Sequence, residues 1–229
     1  MQTIQNLIPE TLASLATLPR MPDKPQPSSC GKTKQGDSKI KQCKSKWQQK
    51  WLKLDAYHPD LELLAADAEK FCARWFNNSP RPALLVIVGD FGSGKTHTAK
   101  AIFRFCSAAA FSALETKKWG ADHVPSAIFL DWPEVATEFA QSNFTIMQDA
   151  AETDLVILDD VGSENDPWKV CSDKLCQILS RREKKFTIVT TNVSPANWTE
   201  RFDGRINDRL MRNSVICDIS TVPSYSLKA

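Results

Sequence analysis

Residues 84–96 read LLVIVGDFGSGKT. Leu84, Leu85, Val86, Ile87 and Val88 run without a polar residue, whereas a strand with one face in water alternates, so the run predicts a strand covered on both faces. Gly89-Asp90-Phe91-Gly92-Ser93-Gly94-Lys95-Thr96 then fits G-x-x-x-x-G-K-[ST] at every position, and His97 to Leu114, rich in Ala, Lys and Phe, reads as a helix. Strand, glycine loop and helix are the context that gives this motif its chemistry. A nucleotide's phosphates repel one another and need many donors at short range. The loop supplies them by turning its backbone N–H groups inward, which glycines at 89, 92 and 94 permit. Lys95 is placed to reach the β- and γ-phosphates, the Thr96 hydroxyl to ligate Mg²⁺, and the helix start, from His97, to add favourable dipole charge.

Length and composition bound what surrounds this unit. At 229 residues the chain has room for one substantial α/β domain and an appendage, and its 42% apolar and 24% charged content are those of an ordinary globular protein. A net charge of +2 implies no partner by itself, but its distribution is uneven. Between Arg20 and Lys53 the lysines at 24, 32, 34, 39, 41, 44, 46 and 50 far outnumber Asp23 and Asp37, so a basic arm joins a mildly acidic body. Seven cysteines form no C-x-x-C pair, and Cys30 and Cys43 alone cannot hold a structural zinc, so reduced thiols are expected. No apolar run approaches the roughly 20 residues of a membrane span, and the N-terminus lacks a signal-peptide pattern; a cytoplasmic protein with no membrane partner is expected.

In chain order, Ile4, Leu7, Ile8, Leu12 and Leu15 have near-helical spacing interrupted by Pro9, suiting a helix that docks on a partner or one that folds back. Residues 19–43, rich in Pro, Ser, Gly and Lys, read as a flexible linker. Trp47, Trp51 and Leu54 share one helical face among lysines, which fits either nucleic-acid contact or a face packed on protein. Asp60 to Asn77 reads as an amphipathic helix capped by Asp60. Beyond the glycine loop, AIFLD at 127–131 predicts a strand, Pro133 begins a helix, and 144–151 another helical piece. At 154–164, DLVILDDVGSE carries four apolar residues into two carboxylates, as a buried parallel strand would deliver acids to its C-terminal edge. Asp159 would hold Mg²⁺ through water and Asp160 would orient or deprotonate an attacking water. Residues 167–185 read as a helix and FTIVTT at 186–191 as a buried strand whose edge presents Asn192 to a γ-phosphate or water. Arg201, Arg205, Arg209 and Arg212 crowd 198–213, with Arg205 and Arg209 on one helical face, and 214–220 reads as a last strand.

GDFGSGKT at 89–96, LDDVGSE at 158–164, TTN at 190–192 and GRINDRLMRNS at 204–214, in this order, resemble the AAA+ ATPases of the DnaC/IstB group, the helicase loaders and transposition helpers. The resemblance runs from about Leu61 to the C-terminus. It implies a P-loop NTPase fold of AAA+ type, a parallel sheet flanked by helices; in this chain an ATPase domain (56–229) with no C-terminal lid domain is expected, preceded by a short basic N-terminal helical or flexible arm (1–55) that is shorter than the N-terminal domains many such relatives carry. It implies ATP and Mg²⁺ as cofactors, bound by residues 89–97, with Thr96 and Asp159 on the metal. Asp160, Asn192 as first sensor and Arg209 as arginine finger form the catalytic set, although Arg205 and Arg212 are rival fingers. Asp160 stands where many relatives have Glu, which predicts slow turnover.

The leading expectation is therefore an ATP-dependent replication accessory protein that self-associates through its ATP sites, binds single-stranded DNA and holds a replicative helicase. The alternatives are a transposition helper ATPase acting on duplex DNA and a small-molecule phosphotransferase.

Overall fold

The apolar run at 84–88 lies second from one edge of a five-stranded parallel sheet. The computed structural model describes residues 52, 57–79, 84–166, 169–212 and 214–225. The strands are β1 (Leu84–Val88), β2 (Ala127–Asp131), β3 (Leu155–Val161), β4 (Phe186–Thr191) and β5 (Ser214–Asp218), in the order β2-β3-β4-β1-β5. β1 pairs with both β4 and β5, Val86 standing level with Val189 on one side and Ile216 on the other. Parallel neighbours need crossovers, and helices supply them. These are α1 (Pro59–Phe76), ahead of the sheet, then α2 (Lys95–Glu115), α3 (Trp132–Ala140), α4 (Ile146–Glu152), α5 (Val170–Arg181), α6 (Trp198–Arg201) and α7 (Gly204–Met211).

Two cores explain why β1 is apolar at every position. Leu85 and Ile87 join Leu64, Phe71 and Trp75 of α1 and Ile102 and Cys106 of α2 on one face. Val86 and Val88 join Trp132 and Phe139 of α3, Leu175 and Ile178 of α5 and Ile206 and Leu210 of α7 on the other. Successive residues of a strand point to opposite faces, so a strand covered twice needs an apolar side chain at each. Among the described residues the five cysteines (72, 106, 171, 176 and 217) are buried and form no disulfide with one another, and none of the described helices is long and apolar enough to cross a membrane.

Helix boundaries differ from the sequence pattern where local hydrogen bonds override it. His58, not Asp60, caps α1: Pro59 occupies the first turn, where no N–H is needed, and His58 Nδ1 accepts the Asp60 N–H at 3.3 Å. α3 starts at Trp132 rather than Pro133, with the Asp131 carboxylate accepting from the Glu134 N–H. α4 starts at Ile146 rather than 144, because the Asn143 side chain takes the N–H and hydroxyl of Thr145 into a turn. α5 is shorter than 167–185. The Asp166 carboxylate gathers the N–H groups of Cys171 and Ser172 at its start, and the chain turns at Arg182. The segment at 198–213 is two helices, broken at Phe202 and restarted by Asp203, which accepts the Arg205 N–H at 2.7 Å.

Arg182 stands out among the charged residues. It is 2% exposed, and its five N–H donors all find acceptors: Thr187 Oγ1 and the carbonyls of Ala150, Thr153, Asp154 and Phe186, at 2.5–3.2 Å. One side chain thus joins the end of α4 and the residue that leads into β3 to the first residues of β4. The expectations for 1–18, the linker at 19–43, the Trp47/Trp51 face, Cys30 and Cys43 lie outside the described residues.

Candidate nucleotide-binding site

The loop at 89–94 leaves the C-terminal end of β1 and closes on the Asp90 carbonyl. That oxygen accepts from the Ser93 N–H (3.3 Å), the Ser93 hydroxyl (2.7 Å) and Lys95 Nζ (2.9 Å). Gly94 caps α2 in the left-handed region at φ 102°, a conformation that L side chains rarely adopt. Lys95 is 6% exposed, its ammonium 6.0 Å from the Phe91 ring. Burial lowers its pKa, against the pull of Asp160, Asp159 and Asp90. An ammonium taken out of water and resting on one carbonyl is poised to move to a stronger anion.

Across the cleft, the end of β3 departs from regular pairing. The β3–β4 register shifts between Leu158 and Val161, and Asp160 has φ 60°, a left-handed value unusual for a non-glycine residue. Regular alternation would send Asp159 and Asp160 to opposite faces. With the bulge, both line one cleft. β3 runs to Val161, so both carboxylates lie within its C-terminal end, where the sequence pattern predicts a buried strand to deliver them.

Asp159 is 4% exposed, and its Oδ1 accepts from the hydroxyls of Thr96 (3.1 Å) and Thr190 (2.6 Å). Asn192 Nδ2 donates to Asp160 Oδ1 at 2.6 Å, and its own Oδ1 is buried with no hydrogen-bond partner among the described residues. A buried acceptor left open is costly and marks a position where a donor such as water fits. The Thr96 hydroxyl and Asp159 are hard oxygen donors, the type magnesium takes, and they already touch.

These groups line a cleft of about 790 Å³ together with Phe91 to His97, Lys100, Asp131, Tyr57, Leu61, Leu64 and Tyr225. The structure therefore brings Lys95, Thr96, His97, Asp159, Asp160 and Asn192 together. Gly89 and Asp90 shape the loop behind them; a Cβ on Gly89 would run into Ile219 and Ser93. Arg209 stands apart. It lies on α7, its Nε donating to Ser180 Oγ of α5 at 2.9 Å. Among the described residues no carboxylate lies within ion-pair distance of Arg209, whereas Arg205 pairs with Asp203 and Asp173, and Arg212 with Asp208.

Sequence reasoning missed several contributors. Thr190 is fully buried and serves both acids, donating to Asp159 and accepting the Asp160 N–H at 2.9 Å; a hydroxyl in a buried strand beside an acidic strand end is its signal. Asp131 stands level with Asp159 across the β2–β3 pair and lines the cleft. Glu164 and Arg201 secure the turn after the acids. Glu164 accepts the Gly162 N–H at 2.8 Å and Arg201 at 2.9 Å, while Arg201 also donates to the carbonyls of Gly162 and Glu164.

An inner strand feeding a phosphate loop, acids on the strand beyond its neighbour and the order β2-β3-β4-β1-β5 define a P-loop NTPase fold of AAA+ type. Solved structures agree. DnaI aligns with TM-score 0.57 at 21% identity, over 72% of this chain and 88% of its own. The DnaC helicase loader aligns at 0.53 and 20%, over 72% and 95%. The replication initiator DnaA, in a complex with AMPPCP and single-stranded DNA, aligns at 0.54 and 15%, over 74% and 49%. At these identities the likeness is one of fold. No family model and no curated protein matches the chain.

Proposed function

We propose that this chain is an ATPase of the DnaC/IstB type that serves DNA replication, with residues 56–229 as the ATPase domain and 1–55 as the arm that holds a replicative helicase. The observation that carries the reading is the hydrogen-bonded chain Thr96–Asp159–Thr190–Asp160–Asn192, in which buried Thr190 links the two acids and the other four line one cleft with Lys95. It joins the groups that phosphoryl transfer to water needs: phosphate ligands, a carboxylate to take the proton and an amide to hold the water. Thr96 and Asp159 would hold Mg²⁺, which when bound neutralises phosphate charge. Asp160 receives the proton of the attacking water, and Asn192 Oδ1 fixes that water's other hydrogen. Asp160 has the shorter acidic side chain and is held by Asn192, which suits slow turnover. The neighbours' printed roles, helicase loading and replication initiation, support a replicative setting.

The absence of a carboxylate partner on Arg209 among the described residues supports a finger that completes a neighbouring subunit's site. The test is ATPase rate at fixed salt, with and without single- and double-stranded DNA, over a range of protein concentrations. Stimulation by single strands that rises with concentration is the expected result. Preference for duplex would transfer the reading to a transposition helper, and indifference to DNA with transfer to a small acceptor would make the chain a phosphotransferase.

A further inference from the structure

The phosphate loop accounts for one end of the cleft. The other wall comes from two stretches 166 residues apart, which meet where the Tyr57 hydroxyl donates to the Pro223 carbonyl at 3.3 Å. Tyr57 and Tyr225 both line the cleft, their ring centroids 5.9 Å apart and their planes inclined by 51°, above the buried Leu61 and Leu64 of α1.

The segment carrying Tyr225 is fixed at several points. The Ile219 N–H donates to the Val88 carbonyl at 2.8 Å, extending the line of β5. Val222 is 2% exposed, and the Thr221 hydroxyl donates to the Asp60 carboxylate at the start of α1. The Tyr225 N–H donates to the Gly92 carbonyl at 3.0 Å, within the phosphate loop itself. Gly92 has φ 76°, and a Cβ there would collide with the Ser224 side chain, so glycine lets this segment lie on the loop. Held so firmly by its backbone, Tyr225 nonetheless leaves its side chain at the mouth of the cleft, the residue being 64% exposed. A large exposed aromatic on a fixed backbone, at the rim of a polar site, offers a stacking face at little ordering cost.

We propose that Tyr57 and Tyr225 form the base subsite of the cleft, taking the purine ring of a nucleoside triphosphate whose phosphates lie on residues 89–96. The inference rests on the nucleotide reading above and adds the residues that grip the base. A cleft of about 790 Å³ has room for base, ribose and triphosphate together. Aromatic stacking on a base is worth enough to shift affinity about tenfold.

The experiment is calorimetric titration of the full chain with MgATP and, separately, with magnesium tripolyphosphate, which has the phosphates and no base. Tyr225→Ala and Tyr57→Ala should each weaken ATP binding about tenfold and leave tripolyphosphate binding within about twofold, while Tyr225→Phe keeps ATP affinity. Unchanged ATP affinity in both alanine variants would overturn the subsite. So would equal losses for ATP and tripolyphosphate, which would make the segment a support for the loop. A wild-type chain that binds tripolyphosphate as tightly as ATP refutes the base subsite while leaving phosphate recognition intact; one that binds neither refutes the nucleotide reading and the subsite with it.

Discussion

Asp160 carries the most constrained backbone in the site, a non-glycine residue at φ 60° inside a strand bulge. Such conformations cost of order 1–3 kcal/mol and persist where surrounding bonds over-determine them. Here the Asp160 N–H is held by Thr190 and its carboxylate by Asn192. Asp160→Asn should lower kcat by about 100-fold while ATP affinity stays within about threefold, because the change removes the proposed proton acceptor and spares the proposed phosphate ligands. Single-turnover hydrolysis with a parallel binding titration checks both halves. Lys95→Ala should abolish ATP binding, since the loop loses its one buried ammonium; retained binding in the same titration would remove Lys95 from the phosphates. The Asp159–Asp160 pair was readable from LDDVGSE, but its geometry was not. One shifted register between β3 and β4 lets consecutive carboxylates face one cleft, and register depends on a partner strand about 30 residues away.

Among the elements, β1 was readable because a strand buried on both faces is apolar at every position, and the other strands from shorter apolar runs ending in polar residues, while the helix boundaries were missed by one to several residues wherever a cap or turn decided them. Charged residues hid their roles more completely. Nothing in RREKK at 181–185 marks Arg182 as a buried fastener, and nothing in WTERF marks Arg201 as the partner of a buried Glu164. Arg201→Ala leaves that carboxylate unpaired and should destabilise the fold by about 3 kcal/mol, read as a lower denaturation midpoint in urea. Arg182→Met strands five acceptors and should cost at least as much, about 3 kcal/mol or more, in the same assay. For α7 the expected outcome concerns assembly: Arg209→Ala should bind ATP normally yet fail to gain activity as protein concentration rises. Normal hydrolysis by this variant at high concentration would discard the finger.

On the scale of the whole molecule, chemistry gathers at one end of the sheet and fastening at the other. The loop and Asn192 follow the C-terminal ends of β1 and β4, and the acids sit within the C-terminal end of β3, the edge at which open α/β sheets place ligands. If the basic arm contacts DNA, changing Lys44, Lys46 and Lys50 to Glu should weaken binding and flatten its salt dependence by about three phosphate contacts, measured by fluorescence anisotropy between low and moderate salt. Unaltered affinity and slope would make the arm a protein-binding element. Arg182, by contrast, secures the N-terminal ends of β3 and β4. In heavy water, backbone amides at that end should exchange last and those flanking Asp160 and Asn192 first, giving β3 and β4 a gradient of protection along their length. A nucleotide would then slow exchange chiefly at the cleft end, and the sheet would work as a clamped beam whose free end alone responds to its load.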